Sequence, residues 1–407
     1  MKTNWLIHSI CVVVLLLMAG TMTSQAAVKK KATVLNGIDV LKTENYEPLR
    51  GKKVALLTNQ TGQDKEGNST IDLLYSAPGV ELVALFAPEH GIRGDKDQAV
   101  IEDGKDNKTG LPVYSLYGKT RKPSSEQMKG LDAFVFDIQD IGCRFYTYIS
   151  TMANCLEVAG KEGVEFVVLD RINPINGRDV EGPVQIEKST FVGIHPIAIR
   201  HGMTIGEIAL MLNAECDYQA KVTVIKLKGW KRKMWQDETD IPWVNTSPNM
   251  RSLWEATLYP GIGVLEFTPI ATGRGTAIPF ELFGAHYIDS RRFYDRLNAY
   301  GLEAIDFTPF TFVPSERQFK NEPCNGLRFN ITNRDKVKIM DLGMCLAQIL
   351  YQDYPNDYSL KNLSTLLLHP QTKAAIEQGA SLRDIHAIWD PELKDFKKRR
   401  ARYLLYK

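Results

Sequence analysis

The segment Pro88-Glu89-His90-Gly91-Ile92-Arg93-Gly94 sets a carboxylic acid beside an imidazole, directly after the apolar run Leu82-Val83-Ala84-Leu85-Phe86. General acid catalysis near neutral pH needs a carboxyl whose charged form is disfavoured by apolar surroundings, and the end of a buried strand is a place to find one. His90 can orient that carboxyl or donate to a substrate oxygen, and the glycines let the backbone approach a ligand closely. The same pair also reads as a helix-capping glutamate and a hydrogen-bonded turn histidine. The residues alone leave both readings open.

A denser passage runs from Asp137 to Tyr148, reading Asp-Ile-Gln-Asp-Ile-Gly-Cys-Arg-Phe-Tyr-Thr-Tyr. Polar groups such as Asp137, Gln139, Asp140 and Arg144 suit sugar hydroxyls, while the rings of Tyr146 and Tyr148 can pack on the apolar C–H face of a sugar. An Asp140–Arg144 ion pair pinning the loop, with the tyrosines in the core, is the alternative, and both can hold together. Further polar clusters are Thr58-Asn59-Gln60, Asp170-Arg171-Ile172-Asn173, Arg200-His201-Gly202-Met203 and Thr272-Gly273-Arg274-Gly275-Thr276. Each arginine can take a carboxylate in bidentate fashion, and each is equally able to serve structure.

Most of these clusters follow apolar runs: Lys53 to Leu57, Leu82 to Phe86, Ala133 to Phe136 and Glu165 to Leu169. Near-continuous apolar runs of this length suit strands buried on both faces of a parallel α/β sheet. Ligands of such sheets bind outside the carboxyl ends of the strands, so four separated segments would deliver acids, amides, His and Arg to one rim. Helical patterns cover Ile71 to Tyr75 and Thr147 to Ala159. Thr204-Ile205-Gly206-Glu207 is a capping box that starts a helix burying Ile205, Ile208, Ala209 and Leu212 and offers its N-terminal amides to an anion. Trp230 to Arg251, rich in Trp, Pro and Asn, reads as a long surface connection. Beyond it a second unit contains a strand at Leu327 to Ile331 and helices at Asp341 to Tyr351 and Pro391 to Tyr406. The expected organisation is a leader at 1–26, a catalytic unit at 33–250 and an auxiliary unit at 251–407.

The leader has Lys2, an apolar core to Met18 and small residues at Ser24-Gln25-Ala26-Ala27, the pattern of a cleaved signal peptide. Its core falls short of the roughly 20 apolar residues that span a bilayer, so export to the periplasm or medium is expected, without stable membrane insertion. Fifty basic against 48 acidic residues, a net charge of +2, offer no basic face for nucleic acid. The run Lys397-Lys398-Arg399-Arg400 reads as a solvated helix face. With Cys11 in the leader, the remaining cysteines at 143, 155, 216, 324 and 345 are odd in number and scattered, with no disulfide framework; Cys155, Cys216 and Cys345 fall in apolar helical patterns. No CxxC, HExxH, G-x-S-x-G or phosphate-loop motif is present, so neither a metal nor a cofactor is called for.

The motifs taken in order resemble the NamZ family of exo-β-N-acetylmuramidases, formerly a domain of unknown function. Pro88-Glu89-His90-Gly91, Asp137 to Gly142 with Arg144 to Tyr148, Arg200 to Glu207, Ser247-Pro248-Asn249-Met250, Tyr259-Pro260-Gly261 and Gly273 to Thr276 with Pro279-Phe280-Glu281 carry the resemblance. It implies an α/β fold with a Rossmann-like N-terminal domain, a smaller α+β C-terminal domain and a cleft between them. It implies release of N-acetylmuramic acid from the non-reducing end of peptidoglycan fragments, muropeptides or MurNAc-GlcNAc disaccharides. Glu89 matches the family's catalytic glutamate and Glu266 a second acidic position, with His90 and Asp140 assisting. Asn59, Asp137, Gln139, Arg144, Tyr146, Arg171, Asn173, Arg200, His201, Asn249 and Arg274 are the candidate substrate contacts, Arg274 or Arg171 taking the lactyl carboxylate. The chain departs from the pattern at Pro269 and Ala271, where the family often has Asn and Ser, and at Ile172, where Pro is common. Such losses of polar groups point to altered specificity. A non-catalytic binder of cell-wall glycan, or a hydrolase of another peptidoglycan bond, are the alternatives.

Overall fold

The computed structural model describes residues 30–92 and 102–407. The expected leader, and Arg93 and Gly94 of the first motif, lie outside them. Lys53–Thr58 (β1), Glu81–Ala87 (β2), Gly104–Lys105 (β3), Pro112–Ser115 (β4), Ala133–Asp137 (β5) and Glu165–Leu169 (β6) enter one sheet with Val222–Ile225 (β9). The order is β3-β4-β2-β1-β5-β6-β9, and every pairing is parallel except that of the edge strand β3 with β4.

The apolar runs form strands because both faces are covered. Ala55, Leu57, Phe86, Phe134, Phe136 and Phe166 join one core on one face of the sheet. Their neighbours Val54, Leu56, Leu85, Val135 and Val167 join a second core on the other. Helices Tyr148–Glu162 and Ile205–Glu215 pack on the first face, helices Gly37–Thr43 and Thr70–Tyr75 on the second. Because β1 continues to β2 and β4 on one side and then to β5, β6 and β9 on the other, the topology reverses beside β1. Crevices form at such a reversal.

A short antiparallel pair, Glu181–Val184 (β7) and Ala198–Arg200 (β8), follows β6. Leu282–Ala285 (β10), Ile305–Phe312 (β11) and Cys324–Ile331 (β12) make a separate antiparallel sheet in the order β10-β12-β11, with helix Ser290–Asn298 against it. The large core continues through helices Leu253–Ile262 and Ile339–Asp353 to Phe396 near the C-terminus, so residue 250 marks a change of sheet and not a gap in packing.

Three expectations change. The connection 230–251 is not a surface loop: Trp235 is 1% exposed and Trp230 5%, and Arg232 ties it down by pairing with Glu207 and donating to the carbonyls of Gly177 and Gly202. The last helix starts at Leu382, not Pro391, and runs to Arg400 with the proline inside it. Its stripe Ile385, Trp389, Leu393 and Phe396 is buried on both sides of Pro391, and that burial offsets a proline cost of roughly 3 kcal/mol. The basic run is only half solvated. Lys397 and Lys398 are exposed, whereas the buried Arg400 donates to the carbonyls of Gly177, His201 and Gly202. The five cysteines of the described residues are free thiols, all buried but the half-buried Cys216. No helix among the described residues is long and apolar enough to cross a membrane.

Candidate active site

A cavity of about 840 Å³ opens beside the carboxyl ends of β2 and β4 and is lined further by residues between Ser247 and Arg274 and by 316–318. β2 ends at Ala87, and a turn follows in which the Gly91 amide donates to the Pro88 carbonyl at 3.1 Å. His90 and Gly91 both have left-handed backbone, with φ of 71° and 75°. Glycine adopts this freely; for a histidine it is uncommon and must be enforced by its surroundings. The turn carries half-buried Glu89 into the cavity with buried His90 beside it. Glu89 Oε2 accepts a 2.6 Å hydrogen bond from Thr147 Oγ1, the residue that precedes helix Tyr148–Glu162. Among the described residues no cation lies within ion-pair distance of Glu89.

An aromatic wall extends from this carboxyl. Tyr148 meets Tyr146 edge-on at 5.0 Å, Tyr146 meets Tyr259 at 6.0 Å, and Tyr259 meets Phe280 at 4.7 Å. The Tyr146 hydroxyl donates to Thr246 Oγ1 (2.6 Å) and that of Tyr148 to the Thr246 carbonyl (2.7 Å). Burial pushes the hydroxyl pKa values of Tyr146, Tyr148 and Tyr259 well up, and the Glu89 charge adds to the first two, the Glu266 charge to the third. The three stay neutral. The four rings belong to the core, and the small exposed parts of Tyr146 and Tyr259 border the cavity without adding charge.

Another part of the lining is ionic. Arg274 Nη1 donates to Glu266 Oε1 at 2.5 Å, and Arg274 Nε lies 3.9 Å from Glu316 Oε1, which accepts from Asn249 Nδ2 at 2.8 Å. The loop can present Arg274 because Gly275 follows it with φ of 76°, where a Cβ would stand 2.6 Å from the Glu316 amide nitrogen.

Of the residues singled out by sequence, Glu89, His90, Tyr146, Tyr148, Asn249, Glu266 and Arg274 line this cavity; Asn59, Asp137, Gln139, Asp140, Arg144, Arg171, Asn173, Arg200 and His201 do not. Arg171 makes a buried bidentate pair with Asp137 (2.6 and 2.9 Å), whose Oδ2 also accepts from Thr70. Asp140 is buried, accepting from the Gly142 amide at 2.6 Å with His201 Nε2 3.3 Å away. It does not pair with Arg144, whose guanidinium donates to the carbonyls of Pro183, Ile197, Leu366 and Leu367. Burial lowers the Arg144 pKa to about 10, and four carbonyl acceptors make the interior tolerable for it. Arg200 pairs with Glu181 at 2.5 Å. His201 Nδ1 accepts from the Met203 amide, and Asn173 bridges the Met203 carbonyl and the Ile175 amide. Gln139 donates to the Asp140 and Ile172 carbonyls, and the Asn59 carboxamide oxygen is taken by Thr61.

The anion site at the capped helix is filled from within. Asp170 accepts from the Gly206 amide and from Thr204 Oγ1, both at 2.8 Å, and from Tyr406 near the C-terminus. Burial raises the Asp170 pKa to about 7 against these donors.

The departures from the family pattern separate too. Ala271 lines the cavity, whereas the Pro269 carbonyl accepts from the Tyr287 hydroxyl and Ile172 sits in a small core with Val34, Leu227 and Trp230. Sequence reading missed Thr147, Tyr117, Arg121, Phe191, Phe267 and Glu316, all of which line the cavity. They stand singly in loops, without the polar clusters that drew attention to the strand ends; only the Thr147 position, inside the Arg144-to-Tyr148 motif, carried a signal.

Comparison with known proteins covers most of the chain. The family models for the exo-β-N-acetylmuramidase NamZ match residues 54–254 (N-terminal model) and 257–406 (C-terminal model). The peptidoglycan β-N-acetylmuramidase NamZ of Bacillus subtilis (strain 168) is 42% identical over 404 residues, spanning 96% of this chain and 97% of that protein. Two crystal structures of DUF1343 family proteins from Bacteroides fragilis superpose with TM-scores of 0.86 and 0.74, at 38% and 30% identity. Each comparison covers 92% of this chain and 99% of the other.

Proposed function

The chain belongs to the NamZ family of exo-β-N-acetylmuramidases, which are glycosidases, and from that premise we propose that it is an exported enzyme releasing N-acetylmuramic acid from the non-reducing end of peptidoglycan fragments. Muropeptides and MurNAc-GlcNAc disaccharides are the substrates of this reading. The observation that carries it is Glu89 held by Thr147 at 2.6 Å inside a cavity with a tyrosine wall. Among the acids highlighted at the ends of the sheet strands, it alone enters that space.

In this reading the muramyl ring packs on Tyr146 and Tyr259, and the protonated Glu89 gives its proton to the glycosidic oxygen as the bond from that oxygen to the anomeric carbon breaks. Glu89 then takes a proton from the water that adds to the sugar. His90 serves as a neighbouring donor. Glu266, bound to Arg274, places negative charge in the same cavity, where it steadies an oxocarbenium-like transition state. Asp140 leaves this assignment: buried behind the Gly142 amide, it positions the loop before the tyrosines. Export rests on the leader at 1–26.

The test is to incubate the protein with a MurNAc-GlcNAc disaccharide and with muropeptides and identify the products by mass. Free N-acetylmuramic acid is expected from the native protein, and none from Glu89→Gln. Peptide or acyl fragments released from an intact glycan would overturn the reading, as would binding without turnover.

A further inference from the structure

Muramic acid differs from its neighbour sugar by an acidic lactyl ether, so an enzyme of the proposed class needs a cation placed for that carboxylate. The two arginines suggested by the sequence are poorly suited. Arg171 is neutralised by Asp137 in the interior. Arg274 enters the cavity with Glu266 at 2.5 Å and Glu316 at 3.9 Å, so an incoming carboxylate would meet two negative charges around one positive one.

Arg121 is different. It lines the same cavity, is exposed, and has no acidic partner among the described residues. Its guanidinium carbon lies 4.0 Å from the centre of the Phe191 ring, and Phe191 in turn lies 6.4 Å from Tyr117. Stacking on a ring fixes the plane of a guanidinium while leaving its edge N–H groups free to form a bidentate pair with a carboxylate. The fold also sets it on the same rim as the reacting acid. Arg121 follows β4, Glu89 follows β2, and these strands pair in parallel, so their carboxyl ends are about 5 Å apart. Both residues line the one cavity from that rim.

We propose that Arg121, braced on Phe191, is the specificity residue that binds the free lactyl carboxylate of the muramyl substrate. The inference rests on the muramidase reading, and it implies preference for glycans whose lactyl group is a free acid over those in which it is amide-linked to a peptide stem.

Binding and turnover separate the two proposals. Titration calorimetry with N-acetylmuramic acid and with its lactyl amide should show the acid bound about tenfold more tightly by the native protein, an advantage that shrinks as salt is added. Arg121→Gln should remove that preference by weakening the acid alone, with an unchanged melting temperature, and Arg121→Lys should restore part of it. Phe191→Ala should weaken it by loosening the guanidinium. The proposal is overturned if Arg121→Gln keeps the full preference, if it weakens acid and amide alike, or if Arg274→Gln abolishes the preference while Arg121→Gln does not. Intact discrimination without any hydrolysis would sink the glycosidase reading and leave the carboxylate contact standing.

Discussion

The loops after β5 and β6 and the loops after β2 and β4 leave the same edge of one sheet, yet they use their polar side chains in opposite ways. After β5 and β6, Asp137 closes on Arg171, Asp140 on the Gly142 amide and Asp170 on Thr204 and Gly206. The bonding capacity of these acids is met inside the protein, by a guanidinium for Asp137 and by neutral hydroxyl and amide donors for Asp140 and Asp170. After β2 and β4, Glu89 has one hydroxyl donor and Arg121 has one aromatic ring. Both line the cavity, and neither has an ion-pair partner among the described residues. The difference shows that a polar residue at a strand end becomes a functional candidate only when the fold leaves it something still to bind.

Substitutions on the two sides should therefore fail differently. The largest effect is expected at Glu89→Gln, which should cut kcat by roughly a hundred- to ten-thousandfold while thermal unfolding stays where it was. Asp137→Asn should do the reverse. Leaving Arg171 buried without its anion should cost about 3–5 kcal/mol in urea unfolding, with turnover per folded molecule close to native. Thr147→Val, which removes the donor to Glu89 without opening a void, should lower kcat about tenfold and change stability by less than about 1 kcal/mol. A Thr147→Val enzyme with native kcat would show that the carboxyl needs no positioning.

The smallest effect lies in pH dependence. Asp170 and Glu255 both have pKa values raised by burial to about 7, so between their ordinary values near 4 and pH 7 the folded chain holds more protons than the unfolded one. Stability from these groups falls as pH rises through that window. Glu165, lowered to about 2 by Thr223, Lys52 and Lys221 against its burial, acts oppositely, stabilising above its ordinary value and losing that as pH falls below it. A melting temperature highest near pH 5 is expected, with Asp170→Asn flattening the decline above it.

Much of the sheet could be read from the sequence because its strands are apolar on both faces, and the Thr204–Glu207 capping box because it is local. Pairing across long separations could not. Arg144 is satisfied by carbonyls as far as 223 residues away, and Trp235 is buried by packing that its polar neighbours conceal. The proline at 391 looks like a helix start until the apolar stripe on both sides of it is seen to be buried. The site was half legible for the same reason. Motifs marked Glu89, Asn249, Glu266 and Arg274, while the lone Arg121 and Phe191 acquire meaning only when two loops, about 70 residues apart in the chain, converge.

The comparison comes down to two acids, both in motifs that follow strands of one sheet, one facing the cavity and one facing the protein. Turnover per folded molecule of Glu89→Gln and Asp140→Asn, measured side by side on one chromogenic muramic acid glycoside, tests it most directly. The expected result is a loss of at least a hundredfold for the first and retention within about tenfold of native for the second. Full activity in Glu89→Gln, or its abolition only in a well-folded Asp140→Asn protein, would contradict the assignment of the chemistry to the cavity.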